Sequence, residues 1–257
     1  MSHQSHRLKL YRAEEHFQDL NARVAPQSMR STHPVTEALE DEAGRARFIY
    51  RLDLDPAVDD RIHILVGEFL FNVRSALDHL AVGMVAPKFK YRTQFPIFTE
   101  DPLKRDETTS EYLDNQKAAD WIRWTEGMPD GAREIVRQIQ PFSVPGGELD
   151  APRDHVLALL SSLHNADKHR QLLTVMDTLH QIAVTIDGVT DYLVPGMHNG
   201  ELILVSPTRA AVKIEGSARI AIGTSEANLR DLLKVFDWIL NDVRGTVLPV
   251  LEPFLIT

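Results

Sequence analysis

Residues 62–84 read IHILVGEFLFNVRSALDHLAVGM. Ile62, Leu65, Val66, Phe69, Val73, Leu77, Leu80 and Met84 recur there with the 3.6-residue period of a helix that buries one face. Asp59 and Asp60 stand where a cap is needed, and Pro87 forbids continuation. A helix this long, with so continuous an apolar stripe, must pack against others, so the chain is read as a helical bundle built around it.

Working outward, Val156, Leu159, Leu160, Leu163 and Ala166 give a second helix over about Arg153 to Arg170. A terminal helix capped by Thr224 or Ser225 carries Leu229, Leu232, Leu233, Phe236, Ile239, Leu240 and Val243, and Pro249 and Pro253 follow it. Leu8, Tyr11, Phe17, Leu20 and Val24 predict a first helix over 7–24. Shorter helices are expected at about 111–126 and 130–140, after an ordered loop over 86–110.

Elsewhere the period changes. Residues 46–54 alternate as a strand does, and the acidic run 37–42 before them reads as a solvated helix face. Residues 181–187, 201–205, 211–215 and 217–222 are β-branched and separated by Asp187-Gly188, Asn199-Gly200 and Glu215-Gly216, which are hairpin signals. The expectation is an α+β protein forming a single domain over 1–257. Its helical bundle comes from 1–170 and 224–250, and an inserted or appended antiparallel sheet occupies about 171–223.

Composition narrows the function. The 257 residues carry a net charge of −9, which argues against coating nucleic acid or membrane through bulk electrostatics, so an anionic ligand needs a local basic pocket. With no cysteine, thiolate metal sites, disulfides and cysteine nucleophiles are excluded, and a reducing cytoplasm fits. The polar start, with His3 and His6 read as disordered terminal residues, offers no apolar signal segment, and no run approaches the ~20 apolar residues of a membrane span. The P-loop, Rossmann, nucleophile-elbow and zincin motifs are all missing. His155, His164, Asp167 and His169 match no specific metal-ligand spacing, so neither metal nor cofactor is expected. Trp121, Trp124, Phe236 and Trp238 read as core or interface aromatics.

Two polar patterns remain. On the first long helix Glu68, Asn72, Ser75 and His79 share one flank of the stripe and Arg74 and Asp78 the other, with Arg74 and His79 about 140° apart. Arg74 therefore meets Asp78 more readily than His79, unless a kink or a second subunit intervenes. On the second helix Asn165 and His169 are i,i+4 neighbours beside Lys168 and Arg170. Packed together, the two helices would converge His79, Asn72, Asn165 and His169 into a cluster able to orient a phosphate or move protons.

The stretch from Gly67 to Leu80, the Phe95-Pro96-Ile97-Phe98 element and Asn165-Ala166-Asp167-Lys168-His169-Arg170 resemble an uncharacterised bacterial family over most of residues 46–250. More distantly, Arg74 followed by His79 is similar to the R-x4-6-H motif of HEPN domains, which are helical bundles that commonly dimerise and are often metal-independent endoribonucleases. That resemblance implies RNA as partner, a homodimer, and a toxin or defence role. His79 would act as acid or base and Arg74 would stabilise the charged phosphorane. Outside the general HEPN pattern, the polar cluster adds Asn72, Asn165 and His169 as further catalytic candidates, with Lys168, Arg170 and Ser75 binding substrate. HEPN nucleases often carry a larger polar residue after the arginine, where this chain has Ser75. The same residues have a second reading, as a buried Asn/His hydrogen-bond network in a non-catalytic helical interaction protein whose cognate partner the sequence does not name.

Overall fold

A computed structural model of the chain describes residues 4–27, 31–42, 45–54, 58–143, 152–169, 172–193, 196–198, 200–225 and 228–256. The fold is α+β. The described chain divides into two compact units, one of residues 1–18, 65–171 and 234–257 and the other of 19–64 and 172–233. The sequence predicts a single domain with an antiparallel sheet at about 171–223 and a strand at 46–54. The structure instead draws 31–52 into the sheets as well.

The helical unit is organised by α2 (Asp60–Gly83), whose first turn is closed by the Arg61 N–H donating to the Asp59 carboxylate at 2.8 Å. Every member of its expected apolar stripe is buried. Phe69 stacks on Phe236 at 4.0 Å between ring centroids and meets Phe17 at 6.1 Å. The first helix, α1 (Ser5–Gln27), buries Leu20 and Val24 as expected but departs from the expected face in its first turns. His6, Leu10, Ala13, His16, Leu20 and Val24 lie inside, so Leu8 and Tyr11 face solvent. Imidazole bodies occupy core positions here, and His6 is an ordered part of the helix rather than a loose terminal residue; His3 lies outside the described residues.

The expected loop over 86–110 contains one short 3-10 turn, Pro87–Phe89, and buries Phe95 and Pro96. Then come α3 (Asn115–Thr125), α4 (Asp130–Gln138) and α5 (Val156–Lys168). Trp121 belongs to the core and Phe98 packs against both Trp121 and Trp124. At the other end of the chain α6 (Leu232–Asp242) widens into a π turn over Val243–Val247 and resumes as α7 (Leu248–Leu251). Thr224 and Ser225 do not cap it: their N–H groups donate to the Asn228 side chain in a turn that precedes β9 (Arg230–Asp231).

In the sheet unit, β1 (Ser31–His33), β8 (Val212–Gly223), β4 (Leu173–Ile186) and β5 (Val189–Leu193) pair antiparallel in that order, with β6 (Met197–His198) on β4 and β9 on β8. A second sheet runs β2 (Val35–Glu42), β3 (Arg45–Leu52), β7 (Leu202–Ser206). The acidic run 37–42 is therefore strand, not helix. Its backbone pairs residue by residue with β3, from Val35 opposite Leu52 to Glu42 opposite Arg45, a long-range pairing that a reading of local period misses.

Asp187-Gly188 is the expected tight hairpin, both residues at positive φ between Ile186 and Val189. Glu215-Gly216 is not a turn. β8 runs through it, and the disturbance falls on the facing strand, where β4 bulges between His180 and Ala183 with Gln181 at φ 53°. Asn199 lies outside the described residues, and the strands on either side of Asn199-Gly200 pair in different sheets. Leu52, Leu54, Leu179, Ile182, Val184, Met197, Ile214 and Ala218 form this unit's core. Among the described residues no helix is long and apolar enough to cross a membrane.

Candidate functional site

The chemistry-bearing side chains of the sequence motifs all fall in the helical unit, and the two edges of α2 take them in different directions. On one edge Arg74 is largely buried, its side chain 14% exposed. Its Nη2 donates to the Asp78 carboxylate at 3.0 Å and to the Phe95 carbonyl at 2.6 Å, while the Phe95 N–H donates to the same Asp78 oxygen at 2.9 Å. The i,i+4 pair thus closes a three-point ring around the start of the Phe95–Phe98 element. The Arg74 Nε and Nη1 are bonded to no described residue and neither is fully enclosed.

Facing this edge is α5. Its close approach is marked by Gly67, where a side-chain carbon would stand 3.2 Å from both carboxylate oxygens of Asp167. Only a residue without Cβ lets that carboxylate sit there unshifted. One turn earlier, His164 is buried at 6% exposure. Burial, then the charges of Lys168 and Arg74, push its pKa down to about 4, so the ring is neutral at pH 7. Its nitrogens are bonded to no described residue and are not fully enclosed. Burial raises the Asp167 carboxyl above the ordinary aspartate range. Arg74, Asp78, His164, Asp167 and Lys168 therefore make up one polar seam.

His79 points elsewhere. Its pKa is lowered first by burial and then by Lys9, while Asp78 opposes the shift and His6 adds to it, and a backbone hydrogen bond ties it to Ser5. Its Nδ1 is buried without a partner. Next to it, the His6 Nε2 lies 2.9 Å from Glu252, and Arg7 holds the same carboxylate at 2.7 and 2.5 Å. Those donors, Arg7 foremost, bring Glu252 down to about 2. The expected separation of Arg74 from His79 is what the helix delivers.

The remaining candidates do not join either edge as a cluster. Asn72 is buried, but its amide donates at 2.8 Å to the Glu68 carbonyl of its own helix. Ser75 is half-buried and makes no side-chain bond among the described residues. Asn165, Lys168 and His169 are exposed, and His169 terminates α5 with its N–H on the Asn165 carbonyl at 3.2 Å. Arg170 lies outside the described residues. The cluster of His79, Asn72, Asn165 and His169 is thus not brought together. α5 turns His164 and Asp167 toward α2, not Asn165 and His169. Two signals marked them: a histidine four residues after Leu160 on the apolar stripe of α5, and a glycine within the strongest helix.

One further pair is perturbed. His155 caps α5, its Nδ1 accepting from the Leu157 N–H at 3.2 Å, and burial lowers its pKa while raising that of Asp242 at the start of the π turn. Among the described residues no three His, Asp or Glu side chains gather as a metal site would require. Comparison with known proteins finds no family model, no curated protein and no solved structure that matches the chain.

Proposed function

We propose that the chain is a HEPN-like protein that binds RNA and cleaves it without a metal ion, as a homodimer, in a toxin or defence setting. The observation that carries this reading is the state of Arg74. One nitrogen is spent on Asp78 and the Phe95 carbonyl, which fixes the guanidinium plane, and the other two remain available. A fork held this way can receive a phosphate without first being ordered. His164 lies within electrostatic reach of both Arg74 and Lys168, so two positive charges flank it in a chain whose net charge is −9. Binding of this kind rests on a few phosphate contacts and has a shallow salt dependence.

The test is direct. Purified protein is incubated with varied single-stranded RNAs in EDTA, and binding and cleavage are followed. Cleavage, with affinity that weakens in Lys168→Ala and a salt slope reduced by about one, supports the reading. RNAs left both unbound and intact overturn it.

A second reading is favoured by the closed ring of Arg74, Asp78 and Phe95. In it the motif serves only to pin the Phe95–Phe98 element, and the protein is a non-catalytic interaction module for a cognate protein. Arg74→Ala would then lower the melting temperature by several degrees in a protein that never engages RNA.

A further inference from the structure

We infer that the histidine acting on substrate beside Arg74 is His164, carried by a different helix, and not His79 of the R-x4-H motif. This rests on the RNA-directed reading above and assigns its proton carrier. His79 sits on the far edge of α2 with Ser5, His6 and Lys9 around it, and no described contact relates it to Arg74. His164 is brought to the Arg74 edge by the packing of α5 on α2 that the Gly67–Asp167 approach records. From Gly67 to Arg74 is two turns along α2, and from Asp167 back to His164 is one turn along α5. Both helices thus deliver their polar groups to the same seam.

Arg74 from α2 and Lys168 from α5 act on the imidazole electrostatically, while Asp78 is tied to Arg74 and the Asp167 carboxylate lies against Gly67. Arg74 is tied to Asp78, which leaves His164 without a carboxylate partner of its own among the described residues. An imidazole in that setting is neutral, and its unbonded nitrogens can accept a proton.

The step follows in balance. The ribose 2′-hydroxyl gives its proton to a His164 nitrogen as its oxygen bonds to the adjacent phosphorus. The bond from phosphorus to the 5′-oxygen breaks, and that oxygen takes a proton from water. The products are a 2′,3′-cyclic phosphate and a 5′-hydroxyl, and His164 returns its proton to solvent. Arg74 and Lys168 face the charge that grows on the non-bridging oxygens.

Cleavage and binding of one single-stranded RNA are measured in EDTA for wild type, His164→Asn, His164→Ala, His79→Ala and Lys168→Ala, each checked for folding by circular dichroism. The expected result is a fall of at least about 100-fold in cleavage for the two His164 variants with RNA still bound, and a change under about threefold for His79→Ala. The acidic limb of the pH–rate profile should lie below the ordinary histidine range and move upward in Lys168→Ala, a shift that a merely structural histidine would not produce. Cleavage that survives in folded His164→Asn, or is abolished in His79→Ala alone, overturns the assignment while leaving the RNA reading intact. RNA bound but never cut by wild type overturns it also. RNA neither bound nor cut fails the reading itself.

Discussion

The two edges of α2 hold the same kinds of residue and treat them differently. On the Arg74 edge, charge is organised: arginine, aspartate and a backbone amide close a ring, and a second helix adds a neutral histidine and a lysine. On the His79 edge, burial leaves a histidine nitrogen without a partner while Glu252 collects the available donors. The difference teaches that a spacing in sequence specifies neighbours only along one face. Five residues on a helix separate two side chains by about 140°, and the fold then recruits different partners for each.

Acid should separate the edges most strongly. Folded His164 takes its proton near pH 4, whereas unfolded histidine takes it near 6.5. The unfolded chain therefore binds more protons between these values. The stability tied to this group is intact above pH 6.5 and lost as pH falls toward 4, by about 3 kcal/mol. Urea melts of wild type and His164→Leu at pH 7 and pH 4.5 check this, and equal acid losses in the two would defeat it. The lowered pKa of His79 acts with the same sign, so His79→Leu should also blunt the acid limb, to a smaller degree.

Next comes Asp78→Ala, which unties Arg74 and the Phe95 amide together. A loss of about 2 kcal/mol is expected, or roughly 4–8 °C in melting temperature for a chain of this size. His79→Ala gives up the bond to the Ser5 backbone but removes an unpartnered Nδ1, and should cost less, about 1 kcal/mol. Reversal of that order would mean the organised edge is not the one that supports the fold.

Gly67→Ala sharpens the seam. Helix propensity gains up to about 1 kcal/mol, and the new methyl pushes the Asp167 carboxylate by a few tenths of an ångström. A net change within about 1 kcal/mol is expected in thermal melts; a loss of several would mean that α5 cannot yield. Smallest of all is Lys9→Ala, which should move the His79 pKa upward in an NMR titration with no measurable change in stability.

Much of this was legible in the residues. The stripe from Ile62 to Met84 located α2 to within two residues, and the period put Arg74 beside Asp78. What could not be read was set by distant partners. The Glu37–Glu42 run is a strand paired along its length with β3, and Gly216 stays within β8 because the bulge is taken by β4. His164 and Asp167 were passed over because a polar residue in an apolar stripe gains meaning only from the helix it faces.

The π turn at Val243–Val247 has a consequence for anyone extending the terminal helix by its period. A single wide turn behaves as one extra residue slipped into a regular helix, so the phase of everything beyond it is offset by about 100°. Leu248, about 120° from Phe236 on an unbroken period, and Leu251 beyond it are buried on the offset phase. Removing a single residue at Gly245 would restore an unbroken period while keeping the flanking faces in place, which makes the segment a natural one-residue indel.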